Sequence, residues 1–237
     1  MKQFISSLAV VAVLATFGAT PAFALASSKF AAELSDVTLV PSQTASDWTT
    51  VLHTSIKTPN KKDLLIGGSL ETALFTQTQV RGKNGSTDSS SASATLDVRI
   101  LIDGKEYNRA TGTGAFPPQV VYDHRAQTLS ATLGGVIASC TDLNGDGVID
   151  VATECVVTDE MIELILETMS AHHFNFVAAN LAPGVHQVEL QVKVGSTASS
   201  IAGSASAMAG VGRGSLTVEE VKGINQIQLG AGIEFLQ

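Results

Sequence analysis

Val185-His186-Gln187-Val188-Glu189-Leu190-Gln191-Val192-Lys193-Val194 is the stretch on which the fold turns. Val188, Leu190, Val192 and Val194 fall on one side of an extended chain, while Gln187, Glu189, Gln191 and Lys193 fall on the other. A period of two with one apolar row marks a strand that buries one face and wets the other. Leu96 to Ile102 repeats the pattern, with Leu96, Val98, Ile100 and Ile102 set against Asp97 and Arg99.

Working outward, the same reading predicts strands at 37–40, 49–58, 64–79, 119–123, 127–133, 174–178 and 215–221. Asp103-Gly104 and Asn84-Gly85 supply residues that tolerate the positive φ of tight turns. The first is expected to close a hairpin. The second lies in RGKNGSTDSSSASA (81–94), whose polar, low-complexity composition predicts a hairpin tip with little fixed structure. About nine strands without a βαβ rhythm predict a mainly β chain, an antiparallel β-sandwich of immunoglobulin-like or jelly-roll type. LAPGVHQVELQV (181–192) resembles the late strands of immunoglobulin-like and fibronectin-type modules.

One inserted α-helix is expected near 159–170. In TDEMIELILETMSAHH, Thr158 can cap it, Asp159 and Glu160 suit its first turn, and Met161, Ile162, Ile165, Leu166 and Met169 form one apolar stripe.

The amino-terminal residues 1–24 read as a signal peptide: one lysine, an apolar run from Leu8 to Phe17, then Gly18, Pro21 and Ala22-Phe23-Ala24 as a cleavage site. Residues 25–237 are then expected to form a single β-sandwich domain. Its 13 basic and 22 acidic side chains give a net charge of −9. That balance argues against nucleic acid as a partner, and no later segment is apolar for long enough to span a bilayer as a helix. The implied location is secreted: periplasmic, cell-surface or extracellular.

The two cysteines of such a chain most simply form one disulfide, Cys140 to Cys155, closing a loop of about 15 residues for on the order of 3 kcal/mol. Between them stands TDLNGDGVID (141–150). Calcium needs six to eight oxygens, which a turning loop offers from alternate side chains and a carbonyl. With Asp142 as position 1, Asn144 is 3, Asp146 is 5, Gly147 is 6, the Val148 carbonyl is 7 and Asp150 is 9. The expected metal ligands are therefore Asp142, Asn144, Asp146, Val148 and Asp150, with Glu154 as a further carboxylate and calcium as the cofactor. DLNGDGVID resembles the calcium loop of EF-hands and dockerins, and DLNGDGVIDVATEC resembles the thrombospondin type 3 repeat, which also ends in a cysteine at the place of Cys155. The resemblance covers about 14 residues and departs from both families at position 12, where Thr153 replaces an acid. Glu154 is one residue late, so the expected affinity is in the weak extracellular range of about 10⁻⁴ to 10⁻³ M.

Common catalytic signatures are missing: the chain has no H-E-x-x-H, G-x-S-x-G or P-loop. His172-His173 are adjacent and would point to opposite faces of a strand, and Tyr122-Asp123-His124-Arg125 is the densest polar cluster outside the loop. The leading functional reading is a calcium-stabilised structural or adhesive protein with an extracellular protein or glycan partner, or with itself as partner. The trailing INQIQLGAGIEFLQ (224–237) offers apolar residues for strand exchange. A calcium-dependent glycan-binding module and a secreted hydrolase with dispersed catalytic residues are the alternatives.

Overall fold

The computed structural model describes residues 29–36, 47–106 and 119–222. The expected signal peptide, the strand at 37–40 and the stretch 224–237 lie outside them. The elements are β1 (Phe30–Ser35), β2 (Thr49–Thr58), β3 (Lys62–Gly82), β4 (Ser86–Ile102), β5 (Lys105–Glu106), β6 (Gln119–Leu133), β7 (Val136–Cys140), α1 (Val151–Glu154), β8 (Cys155–Thr158), β9 (Glu160–Leu181), β10 (Gly184–Ser200) and β11 (Ser204–Val221). One sheet runs β1-β11-β3-β9, and the other runs β2-β10-β4 with β5 and β6 both on β4.

The long strands pair as nested shells. β1 lies on β11, β2 on β10, β3 on β9 and β4 on β6, all antiparallel. That is a single ribbon folded back on itself, and the added pairings β11–β3 and β10–β4 roll it into two facing sheets. Eight strands in this order make a jelly roll. The antiparallel sandwich is as expected, and the immunoglobulin-like alternative is not the order observed.

Alternation explains the interior. Val188, Leu190, Val192 and Val194 of β10 and Leu96, Val98, Ile100 and Ile102 of β4 are buried, as their spacing predicts. They face Leu64, Ile66 and Leu70 of β3 and Leu216 and Val218 of β11. Leu190 uses space that a side chain at Gly68 would take: a Cβ there would sit 2.6 Å from Leu190 Cδ1.

The expected helix over 159–170 is corrected: residues 160–170 form the first half of β9, paired with β3 from Glu160↔Gly82 to Ser170↔Thr72. The one helix among the described residues is the four-residue α1. β9 is an edge strand, and apolar residues on both its rows imitate a helical stripe. The period-two pairing with β3 decides the outcome.

The Ser-rich stretch is corrected as well. Residues 86–94 form the first half of β4, where Asp88, Ser90, Ala92 and Ala94 are buried. Asn84 and Gly85 do adopt φ of 55° and 76°, but the turn carries the chain from one sheet to the other. Its amides donate to the Gly134 and Leu133 carbonyls. Asp103-Gly104, with φ of 55° and 73°, closes the β4–β5 hairpin as expected. The strands at 119–123 and 127–133 are one strand, β6.

β9 hands over to β10 beside His186, whose Nδ1 lies 2.8 Å from Asp103 and whose Nε2 lies 2.8 Å from the Ala182 carbonyl. Both neighbours are acceptors, so the arrangement favours the doubly protonated ring. Asp103 raises the His186 pKa above its ordinary value, against burial that lowers it. Burial pushes Asp103 up, and the bonds from His186 and the Gln187 amide outweigh it and hold Asp103 low. The His186 contribution is full below its unfolded pKa of about 6.5 and is lost as pH rises through the higher folded value. The Asp103 contribution is present above about pH 3.9 and is lost as pH falls. An NMR titration of the imidazole is expected to place the midpoint above the free-histidine value, and Asp103→Asn is expected to bring it down.

Candidate functional site

β7 and β8 form a two-stranded hairpin of their own, inserted between β6 and β9. Cys140 and Cys155 pair directly across it and are bonded, with Cα atoms 4.1 Å apart. The expected disulfide is present, and residues 141–154 form the loop it closes.

Within that loop the side chains of the expected ligands organise the backbone. Asp142 accepts from the Gly145 amide at 2.6 Å and the Gly147 amide at 2.9 Å. Asn144 Oδ1 accepts from the Asp146 amide at 2.9 Å, and Asp146 Oδ1 from the Val148 amide at 2.8 Å. These turns bend the chain at every second residue, with Gly147 at a φ of 80°. Asp150 caps α1 by accepting from the Ala152 amide at 3.0 Å.

Glu154 has a different place from the other acids. Its carboxylate is buried and accepts from the Leu143 amide at 3.1 Å and the Asp150 amide at 2.8 Å. It clasps the two limbs of the loop from within, which spacing alone, counting it as a late ligand, does not reveal. The bond from the Asp150 amide is the main cause that holds the Glu154 carboxyl below its usual pKa, and the Gly147 amide does the same for Asp142. The loop geometry therefore stands above the ordinary carboxylate range and loosens as pH falls through the lowered values.

The donor set is all oxygen: three aspartates, an asparagine, a carbonyl and a glutamate. A carboxylate oxygen that accepts one N–H keeps a further lone pair, so the backbone bonds orient these donors without exhausting them. Hard cations take such sets, and softer metals prefer nitrogen and sulfur. Among the described residues, no group of three or more His, Cys, Asp or Glu side chains is gathered closely enough to hold a metal. The loop's own carboxylates, Asp142, Asp146, Asp150 and Glu154, are among those residues, so three of them do not converge on one point in this structure.

The second polar centre lies between the sheets. A bulge in β6 opposite Leu96 and Asp97 turns the consecutive Tyr122 and Asp123 both inward. The Tyr122 hydroxyl accepts from the Leu70 amide at 3.0 Å and bonds to the Gly68 and His172 carbonyls, tying one sheet to the other. Burial pushes its pKa up to about 12. Tyr122→Phe strands the buried Leu70 amide, and is expected to cost about 1–3 kcal/mol in denaturant melts.

Asp123 accepts from Thr72 at 2.5 Å and lies 3.3 Å from His172 Nε2, while Ser170 Oγ lies 2.8 Å from that same nitrogen. A serine–histidine–aspartate relay needs the serine and the carboxylate on opposite ring nitrogens. Here both meet Nε2, so the group is a hydrogen-bonded tie between β6, β3 and β9. His173 points to the other face, with Ser69 at 2.7 Å and Asn175 at 2.9 Å, so the two histidines do not share one ion. Arg125 donates to the Leu74 and Leu166 carbonyls, and His124 meets Ser93 at 3.3 Å. The polar cluster at 122–125 is thus consumed in joining strands.

No protein-family model matches the chain, and no curated protein matches it. Among solved structures the chain aligns with one described as the structure of infectious bursal disease virus Gx strain, at 11% identity and a TM-score of 0.14. The alignment covers 82% of this chain and 40% of that one. A likeness at that level carries no argument about fold or function. No helix among the described residues is long and apolar enough to cross a membrane.

Proposed function

We propose that the protein is a secreted jelly roll whose disulfide-closed hairpin is stabilised by calcium, with a structural or adhesive role outside the cell membrane. The observation that carries this reading is the contrast between its two polar centres. The interior cluster is closed by its own hydrogen bonds, whereas the oxygen-lined loop stands on a disulfide-closed hairpin apart from both sheets. Asp142, Asn144, Asp146, Asp150 and the Val148 carbonyl would hold the ion, and Glu154 would set the loop's shape around it. Calcium would supply a fixed positive charge that rigidifies the hairpin for contact with a partner.

The test is capture of producing cells, their extracellular material and the protein itself, with and without calcium. Calcium-dependent retention is expected, and loss of every such interaction overturns the reading. Exposure of Leu143 and Val148 on the loop favours a second reading, a glycan bound through the ion, and a glycan array with calcium and with chelator tests it. The hydrolase alternative draws no support from the Asp123–Ser170–His172 geometry.

A further inference from the structure

β9 is the edge of its sheet: among the described residues it pairs with β3 alone. Its first half is apolar on both rows. Ile162, Leu164 and Leu166 lie on the row that faces the interior, opposite Val80, Thr78 and Thr76 of β3, and yet are 41%, 39% and 41% exposed. Further along the same row Phe176 and Ala178 are buried. The interior is therefore covered at one end of β9 and open at the other.

The chain carries a segment suited to that gap. Ile227, Leu229, Ala231, Ile233 and Phe235 alternate with Gln228, Gly230, Gly232 and Glu234, a row of apolar residues at strand period. β11 ends far from the open half of β9. Val221 pairs with Asp63, whereas Leu166 pairs with Thr76, so the two places are separated by 13 residues of β3, about 43 Å at strand rise. The few residues between Val221 and Ile227 reach about 20 Å at most. Ile227 of the same chain therefore cannot reach the open half of β9.

Charge excludes the simplest alternative. Asp159, Glu160, Glu163 and Glu167 accompany the exposed half of β9, and two such edges paired with each other would set four carboxylates against four. Residues 223–237 carry one charged side chain, Glu234.

We infer that the open edge of β9, residues 160–168, takes residues 227–235 of a second copy of this chain as an added strand. The apolar row of the incoming strand covers Ile162, Leu164 and Leu166, and the free main-chain groups of the edge give it hydrogen bonds. Donor and acceptor are different parts of the chain, so the contact is heterologous and builds a ring or an open chain of subunits. The inference deepens the structural role proposed above and rests on it.

Sedimentation of the full exported chain tests it, beside a form lacking 223–237 and a full-length Leu164→Lys form. The intact chain is expected to assemble beyond dimers with rising concentration, each altered form alone to stay monomeric, and an equimolar mixture of the two to stop at a one-to-one dimer. A synthetic peptide of residues 223–237 is expected to bind the shortened form saturably, and about tenfold or more weakly when that form also carries Leu164→Lys. Unchanged assembly after removal of 223–237 overturns the inference, as does equal peptide binding to both forms or an intact chain that stays monomeric. A monomer that still binds cells or matrix leaves the wider functional proposal standing, and a monomer that binds neither removes both.

Discussion

Leu190→Ala is expected to destabilise the sandwich by about 2–5 kcal/mol, read as a lower midpoint in denaturant with an unchanged slope. Leu190 is fully buried at the centre of β10, flanked by β2 on one side and β4 on the other. Truncation removes its transfer energy and leaves a cavity in a region built of strands, which collapse poorly. Gly68→Ala alone is expected to cost about 1–3 kcal/mol, because its methyl would enter the space of Leu190 Cδ1. The two changes share that space. Together they should cost less than their sum by roughly 1 kcal/mol or more, and strict additivity would mean that Leu190 does not pack against Gly68 across the sheets.

Asp142→Ala is expected to abolish calcium binding while leaving the thermal midpoint of the sandwich nearly unchanged. Asp142 is the first expected ligand and also the acceptor for the Gly145 and Gly147 amides, so its loss removes a charge from the ion and unties the loop. The hairpin is a satellite, held at its base by weak contacts such as Lys83 Nζ to the Val157 carbonyl at 3.5 Å. Global unfolding therefore reads the loop poorly. Calorimetric titration and amide exchange at 142–154 read it directly, with faster exchange expected there in the variant and unaltered protection in β4 and β10. Loss of protection in the strands would show that the loop supports the fold.

Legibility followed locality. β10 and the second half of β4 were readable because one apolar row faces the core and one polar row faces water. The turns of the loop were readable because their residues are contained in one short stretch, from Thr141 to Asp150. β9 was not, since Met161, Ile165 and Met169 on one row and Ile162 and Leu166 on the other satisfy a helical stripe equally well, and only the long pairing with β3 excludes it.

The first half of β4 misled for the opposite reason. Its inward row is Asp88, Ser90, Ala92 and Ala94, which reads as a solvated tip. In the fold, the Asp88 carboxylate accepts from the Arg81, Ser89 and Ala202 amides at 2.8–2.9 Å, and Ser90 donates to the Ser204 carbonyl at 2.8 Å. Nearby Gln127 joins Thr76 at 2.7 Å and Thr78 at 2.5 Å. Polar groups enter a core when their partners come from distant strands, and nothing in the local sequence announces those partners. The role of Glu154 was hidden in the same way, by bonds to amides on both limbs of a loop.

The most direct test of the central claim is an NMR titration of residues 25–237 with calcium and, separately, with magnesium, following the Gly145 and Gly147 amides. Saturable shifts confined to residues 141–155, half-complete at about 10⁻⁴ to 10⁻³ M calcium and absent with magnesium, are the predicted result. Amides that stay fixed to well above about 10⁻² M calcium would contradict it and leave the loop a disulfide-closed turn.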